Sequence, residues 1–267
     1  AKIKWGEFSD NFLLVRGAAY TGARWLDDES WAKINQNLTK ISKALTISKA
    51  KGIGFDPEYY FKDSTLNPWT YSPFLYNNLT YDEVGNYVRK RGKQFMQALQ
   101  TYKPDVKLFC FWLLGLVDMQ NKSQLIDKTG MALYPFFVDG MLEGQNKLSE
   151  IIDGNESSYW YQKPENFIES GEYLRYHGSN LIQKPLQLEF KKISIAQSVY
   201  FDGLYDYSHN SWRGESLAIS AFTDLNNSSK IARHDFLFWK RLFKNAYWTN
   251  SIYFVHVWDS AGRNTFR

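Results

Sequence analysis

Apolar and polar positions follow one another in two periods along this chain, and their succession predicts strands joined by helices. Phe12-Leu13-Leu14-Val15, closed by Arg16-Gly17, is a short apolar run of the kind that forms a buried strand. After a loop from Ala18 to Trp25, Asp27 and Asp28 supply an N-cap and negative charge for a helix from about Glu29 to Lys49. In that helix Trp31, Ile34, Leu38, Ile41 and Leu45 recur at helical spacing. Gly52 to Phe55 is the next strand, so the first unit reads strand, helix, strand.

The pattern then repeats. Thr80, with Glu83 three residues on, makes a capping box for a helix carrying Val84, Tyr87, Val88, Phe95, Leu99 and Tyr102. It stops at Lys103-Pro104-Asp105, and Val106 to Leu114 reads as a strand. Between Gly115 and Gly140 the period blurs, although Tyr134 to Gly140 begins a structured piece and Met141 to Lys147 is helical in pattern. Glu150-Ile151-Ile152-Asp153 is again apolar and runs into Gly154-Asn155-Glu156. Helices are predicted from Pro164 to about Asn180, from Pro185 to about Ala196 and from Ser229 to Tyr247. Strands are predicted at Ser198–Gly203 and Ile252–Asp259.

Strands alternating with helices of this length predict a mostly parallel sheet with helical crossovers. A doubly wound sheet with a phosphate loop does not fit, because Arg16-Gly17-Ala18-Ala19 matches neither Gly-rich phosphate pattern. The expected fold is therefore α/β: a (β/α)8 TIM-like barrel, one domain over residues 1–267, incomplete or irregular at the N-terminus. Six strands are clear against the eight of a full barrel. The balance is expected between Leu116 and Val138 or in a segment preceding residue 1, since the chain begins with Ala and reads as a processed or engineered fragment.

Composition narrows the partner. The formal charge of +4 comes from 32 basic and 28 acidic residues spread along the chain, and the cluster Arg89-Lys90-Arg91 with Lys93 falls on a helical face, so nucleic acid is not the expected partner. No window of eighteen or more apolar residues predicts a transmembrane segment. Aromatic residues make up 18% of the chain, more than an aliphatic core calls for. With many Asn, Asp and Glu they suit a carbohydrate surface, where sugar faces stack on rings and hydroxyls take hydrogen bonds. The loop from Pro57 to Thr80 is especially aromatic, and reads equally as a cleft wall or as a packed Ω-loop. Cys110 is the single cysteine and lies in an apolar run, so it is expected to be an inert core thiol.

Acids stand where predicted strands end: Asp56 and Glu58, Glu156, Asp202 and Asp259. In a barrel those ends hold the chemistry. Asp56 and Glu58 flank Pro57, which cannot donate to a sheet ladder and marks where pairing stops, and residues two apart on an extended segment point the same way. Two opposed carboxyl groups are what glycoside hydrolysis needs, one protonated as acid and one ionised as nucleophile or base. Glu156 is expected as acid/base, Glu58 as the opposing carboxylate, and Asp56 as the neighbour whose like charge tunes it, with Asp202 in reserve. Arg16 and Asn155 are expected to bind substrate, and Tyr60, Trp112 and Trp258 to stack on it.

Three stretches carry a resemblance. Trp25-Leu26-Asp27-Asp28 with Trp31, then Lys51-Gly52-Ile53-Gly54-Phe55-Asp56-Pro57-Glu58-Tyr59-Tyr60, then Ile152-Asp153-Gly154-Asn155-Glu156, resemble in order a group of bacterial proteins assigned only by inference as barrel-type glycoside hydrolases. Asn155-Glu156 is also similar to the Asn-Glu that ends a barrel strand in the large clan of retaining glycosidases, where the Glu is the acid/base. The resemblance implies a secreted or periplasmic barrel that acts on or binds carbohydrate; no cofactor is expected.

Two other readings stay open. One is a barrel that binds sugar without cutting it. The other is a divalent-metal-dependent hydrolase using Asp56, Glu58, Asp202 and His209, although the four histidines, His177, His209, His234 and His256, lack the close pairing of zinc barrels. No metal site is expected. A serine nucleophile is disfavoured, since no Gly-x-Ser-x-Gly occurs.

Overall fold

The computed structural model describes residues 11–16, 25–61, 63, 66–115, 117, 126–161, 164–200, 204–206, 211–213, 231–233 and 252–258; from residue 199 on only backbone is described. The chain forms two compact units, one of residues 1–153 with 173–194, the other of residues 154–172 with 195–267.

In the first unit four strands run parallel, in chain order: β1 (Phe12–Arg16), β2 (Gly52–Asp56), β3 (Lys107–Cys110) and β4 (Glu150–Asp153). Their register aligns Arg16 with Asp56, Phe55 with Cys110, and Cys110 with Asp153, so all four strands finish at one edge. The crossovers are α1 (Asp28–Ser48), α2 (Tyr81–Gln100) and α3 (Tyr134–Gly144). Each predicted cap of the first two helices is present. Asp27 accepts the Ser30 N–H at 2.9 Å, and Thr80 and Glu83 close a reciprocal capping box.

The third helix differs from the sequence expectation. It begins at Tyr134, with Pro135 in its first turn, and ends at Gly144 rather than Lys147. A proline is at home in a first helical turn, where its missing N–H has no partner to lose. Packing of α2 on α3 is unusually close. A Cβ on Gly92 would lie 2.1 Å from the Phe137 carbonyl oxygen, and one on Gly140 would lie 2.0 Å from that of Arg89. Glycine lets the two backbones touch where any side chain would hold them apart. Between these helices and the sheet sits an aromatic core. Phe55 meets Phe95 at 5.3 Å and Phe137 at 6.1 Å, while Trp69 meets Trp25 at 5.3 Å and Phe137 at 5.4 Å.

Arg91 of α2 is buried by design of its neighbours. Its Nε donates to the Trp25 carbonyl at 2.9 Å, its terminal nitrogens reach Gln94 at 3.0 Å and Asp28 at 2.7 Å, and its carbon lies 5.5 Å from the Trp31 ring centre. The basic cluster of the sequence is thus partly structural, tying α2 to the entry of α1.

Helix α4 (Pro164–Asn180) is where the sequence placed it. The region after it departs: the expected helix from Pro185 is only a turn at Lys184–Leu186 and the short α5 (Gln187–Phe190), and strand β5 already begins at Ser194 and runs to Tyr200. In the second unit β5 pairs in parallel with β9 (Ile252–Trp258). The remaining strands β6 (Leu204–Asp206), β7 (Ser211–Arg213) and β8 (Ile231–Arg233) form an antiparallel sheet in the order β7-β6-β8. Ile231–Arg233 corrects the helix expected from Ser229: its backbone groups pair with Leu204–Asp206, and sheet pairing overrides a helical spacing set by a few apolar residues. The rest of that predicted helix lies outside the described residues.

The architecture is therefore α/β with a parallel sheet and helical crossovers. In neither unit do the described strands close into a barrel.

Candidate active site

Strand β2 ends in the segment that the sequence singles out. Its last residue, Asp56, is 5% exposed, and its Oδ1 accepts the Glu58 N–H at 3.0 Å, which folds the chain back over Pro57. The Pro57 carbonyl is held in turn by the Trp69 indole N–H at 2.7 Å, and Trp25 donates its own indole N–H to the Pro68 carbonyl at 2.7 Å. Two buried indoles therefore fasten the long loop after β2 and fix the carboxylate segment by its backbone. The loop is packed at its indole anchors and exposed over much of the rest. Trp69 and Tyr76 are buried, and Phe74 alone of its large apolar residues stands almost wholly in solvent.

Glu58 is half-buried, and its Oε1 accepts from the Trp112 indole N–H at 3.2 Å. Trp112 lies two residues beyond β3, is 6% exposed, and turns its ring edge-on to Tyr134 at 5.4 Å. Its carbonyl accepts the Tyr134 hydroxyl at 3.2 Å. Tyr60 is 57% exposed. Its phenol is raised above its ordinary range by partial burial, and further by interaction with Glu58 and by the charges of Glu58 and Asp56. Arg16, at the end of β1 and in register with Asp56, lies with its guanidinium 5.7 Å from the Tyr60 ring centre. Arg16, Asp56, Glu58, Tyr60 and Trp112 are thus brought together at the C-terminal edge of three adjacent strands.

Two neighbours belong to this site that sequence reasoning did not flag. Asp153, the last residue of β4, is buried, and Tyr134 opens α3 with its hydroxyl sealed. Burial raises the Tyr134 phenol well above its usual value, and electrostatic interaction with Cys110, Asp153 and Asp56 raises it further. The signal for Asp153 was present, since it ends an apolar strand as Asp56 does. Cys110 is fully buried, and burial, with the Asp153 charge, pushes its thiol well up, out of reach of thiolate chemistry.

The other candidates stand in the second unit or outside the described residues. Asn155 has a left-handed backbone at φ 46° and is buried, its amide donating to Ser170 Oγ at 3.1 Å and Gln197 Oε1 at 2.9 Å. It is tied into a buried polar set in which Ser158 Oγ donates to the Ser198 carbonyl at 2.9 Å and Ser198 Oγ to that of Gly154 at 2.8 Å. This set shapes the turn that presents Glu156, the half-buried first residue of the 3-10 turn Glu156–Trp160. Trp258 closes β9, where only backbone is described. Asp202 and His209 lie outside the described residues. Among the described residues no three His, Cys, Asp or Glu side chains are grouped to hold a metal ion, and no helix is long and apolar enough to cross a membrane.

No family model, no curated protein and no solved structure matches this chain.

Proposed function

We propose that the chain is a glycoside hydrolase of (β/α) barrel type, working outside the cytoplasm on a carbohydrate, with Glu58 as its nucleophile or base and Glu156 as its acid/base. The observation that supports the reading most is the carboxylate segment at the end of β2. In it Asp56 and Glu58 stand at the strand edge where parallel α/β folds bind their ligands, with the Trp112 N–H on Glu58 and the Arg16 guanidinium over the ring of nearby Tyr60.

The chemistry follows from those groups. Glu58 is held by the Trp112 N–H through one oxygen, and is assigned the part that attacks an anomeric carbon or takes a proton from water. Asp56 is engaged with the Glu58 backbone and steadies the turn. Arg16 offers a cation to substrate hydroxyls beside them. The part assigned to Glu156 rests on its Asn-Glu sequence context alone.

The test is turnover. Purified protein is screened against aryl glycosides and polysaccharides, with Glu58→Gln and Glu156→Gln alongside. Loss of about 10²-fold or more in kcat in both variants, at unchanged melting temperature, is the expected result. A wild-type protein that turns over none of the panel, but whose melting temperature rises with a glycan, would make this a binding barrel.

A further inference from the structure

At the edge of the sheet opposite the carboxylate segment, where β4 begins, the first unit holds a cavity of about 420 Å³. Leu142, Ile151 and Ile193, all nearly buried, make its apolar part. One wall is the chain that joins α3 to β4, and its own hydrogen bonds hold it in shape. Asn146 Oδ1 accepts the Leu148 N–H at 2.7 Å and the Ser149 N–H at 2.8 Å, the Asn146 amide donates to the Pro104 carbonyl at 3.0 Å, and that of Gln145 to the Ser149 carbonyl at 2.9 Å. Another wall comes from the chain between Glu189 and Ser194, where Arg175 Nε donates to the Ile193 carbonyl at 3.2 Å and the Ser194 hydroxyl donates to Glu150. The charges that line the cavity are unequally engaged. Glu150 is balanced by Lys107 at 3.1 Å. Glu189 takes Lys192 at 2.7 Å, but with these side chains 57% and 68% exposed the pair contributes little and yields readily to another anion. Lys147 lines the cavity too, and among the described residues no acid pairs with it.

We infer that this cavity is a second binding site, which takes a small organic anion: a carboxylate on Lys147, and a compact carbon body against Leu142, Ile151 and Ile193. At Lys147 a carboxylate gains a charge-assisted partner without taking one from another group. The apolar lining favours a ligand with a carbon body over a bare inorganic ion. Glu150 and Glu189 oppose a second negative charge, so a monoanion is preferred to a polyanion. The volume is toward the small end for ligand pockets and holds a body of about one sugar ring. Two sources share that chemistry, a sugar acid and a short-chain carboxylic acid. The site goes beyond the function proposed for Glu58 and Glu156, and it holds whether or not the chain cleaves a glycan.

The experiment titrates glucuronate and butyrate into the full chain at low ionic strength, read by calorimetry, with glucose and butylamine as their uncharged and cationic counterparts. Saturable binding of at least one anion is expected, with a Kd on the order of 1 mM, and none of either counterpart. Lys147→Gln, at an exposed position, should keep the melting temperature and weaken that binding about tenfold. Glu58→Gln should leave the binding as it is, which separates this cavity from the carboxylate segment at the other edge. Glucuronate alone identifies a sugar-acid site, butyrate alone a site for short-chain acids, and both together a site that reads the carboxylate; each of these sustains the inference. It is overturned by the absence of saturable binding of either anion, by equal binding of a counterpart, by a Lys147→Gln variant that binds as wild type does, or by binding that disappears in Glu58→Gln.

Discussion

Replacing Asp139 by Asn should stabilise this protein near neutral pH and leave it unchanged in acid. Asp139 lies on α3 at 1% exposure, and burial raises its carboxyl to about 6 from an ordinary 3.8. The Gln183 N–H, donating to its Oδ1 at 3.1 Å, and the Arg89 charge act against that rise, while the Glu143 charge adds to it. A carboxyl whose folded value is raised binds its proton more tightly folded than unfolded. Its stabilisation is therefore fully present below about pH 4 and is lost as pH climbs through 6. A shift of roughly two units at about 1.4 kcal/mol each makes the charged form costlier by on the order of 3 kcal/mol at pH 8. Asn keeps the oxygen that Gln183 needs and carries no charge, so the variant escapes this cost. Urea unfolding of both proteins at pH 4, 6 and 8 checks it. Their difference should be near zero at pH 4 and approach about 2 to 3 kcal/mol in favour of Asn at pH 8. All other titrating groups are shared, so they cancel in the difference. A variant less stable than wild type at pH 8, or a difference that does not vary with pH, would refute the reasoning.

Other perturbations follow from the same packing. Gly92→Ala, whose Cβ would lie 2.1 Å from the Phe137 carbonyl oxygen, should force α2 from α3 and cost about 3 kcal/mol, read as a lower melting temperature. Arg91→Met strips the Trp25 carbonyl of its donor at 2.9 Å, and a loss of about 1 to 3 kcal/mol is expected in chemical denaturation. Cys110, fully buried with its thiol raised, should resist a colourimetric thiol reagent in the native protein and react with one equivalent in denaturant.

Much of the first unit could be read from the chain because local and global signals agree there. Thr80 and Glu83 announce α2 with a cap that needs only four residues, and the Gly52–Phe55 run before Asp-Pro-Glu announces a strand and its end. Helix α3 was harder: Tyr134-Pro135-Phe136-Phe137-Val138 is apolar on nearly every side, so no polar face marks a period, and a proline stood where a helix was to begin. Ile231–Arg233 was misread because three residues of strand are too few to outvote a helical spacing around them. At the site, the nearness of Asp56 and Glu58 was legible from an apolar strand that runs into Asp-Pro-Glu, although the turn over Pro57, not an extended step, is what joins them. The indole of Trp112, 54 residues away, was visible as an aromatic but not as a donor, because only the fold decides which edge of a ring meets a carboxylate. Asp153 was passed over for the same reason: whether an acid at a strand end is buried is set by neighbours distant in sequence.

The tethers around Pro57 and Glu58 bear on the order in which the molecule assembles. Trp25 reaches Pro68 over 43 residues, and Trp112 reaches Glu58 over 54. Contacts of that separation close late, because the entropy of closing the intervening chain must be met before they form. A partly folded chain that has paired β1 with β2 therefore owns the acids but not their orientation. The Trp112 N–H should therefore meet Glu58 only once β3 has docked, so a signal from that contact during refolding would time a step later than the pairing of β1 with β2.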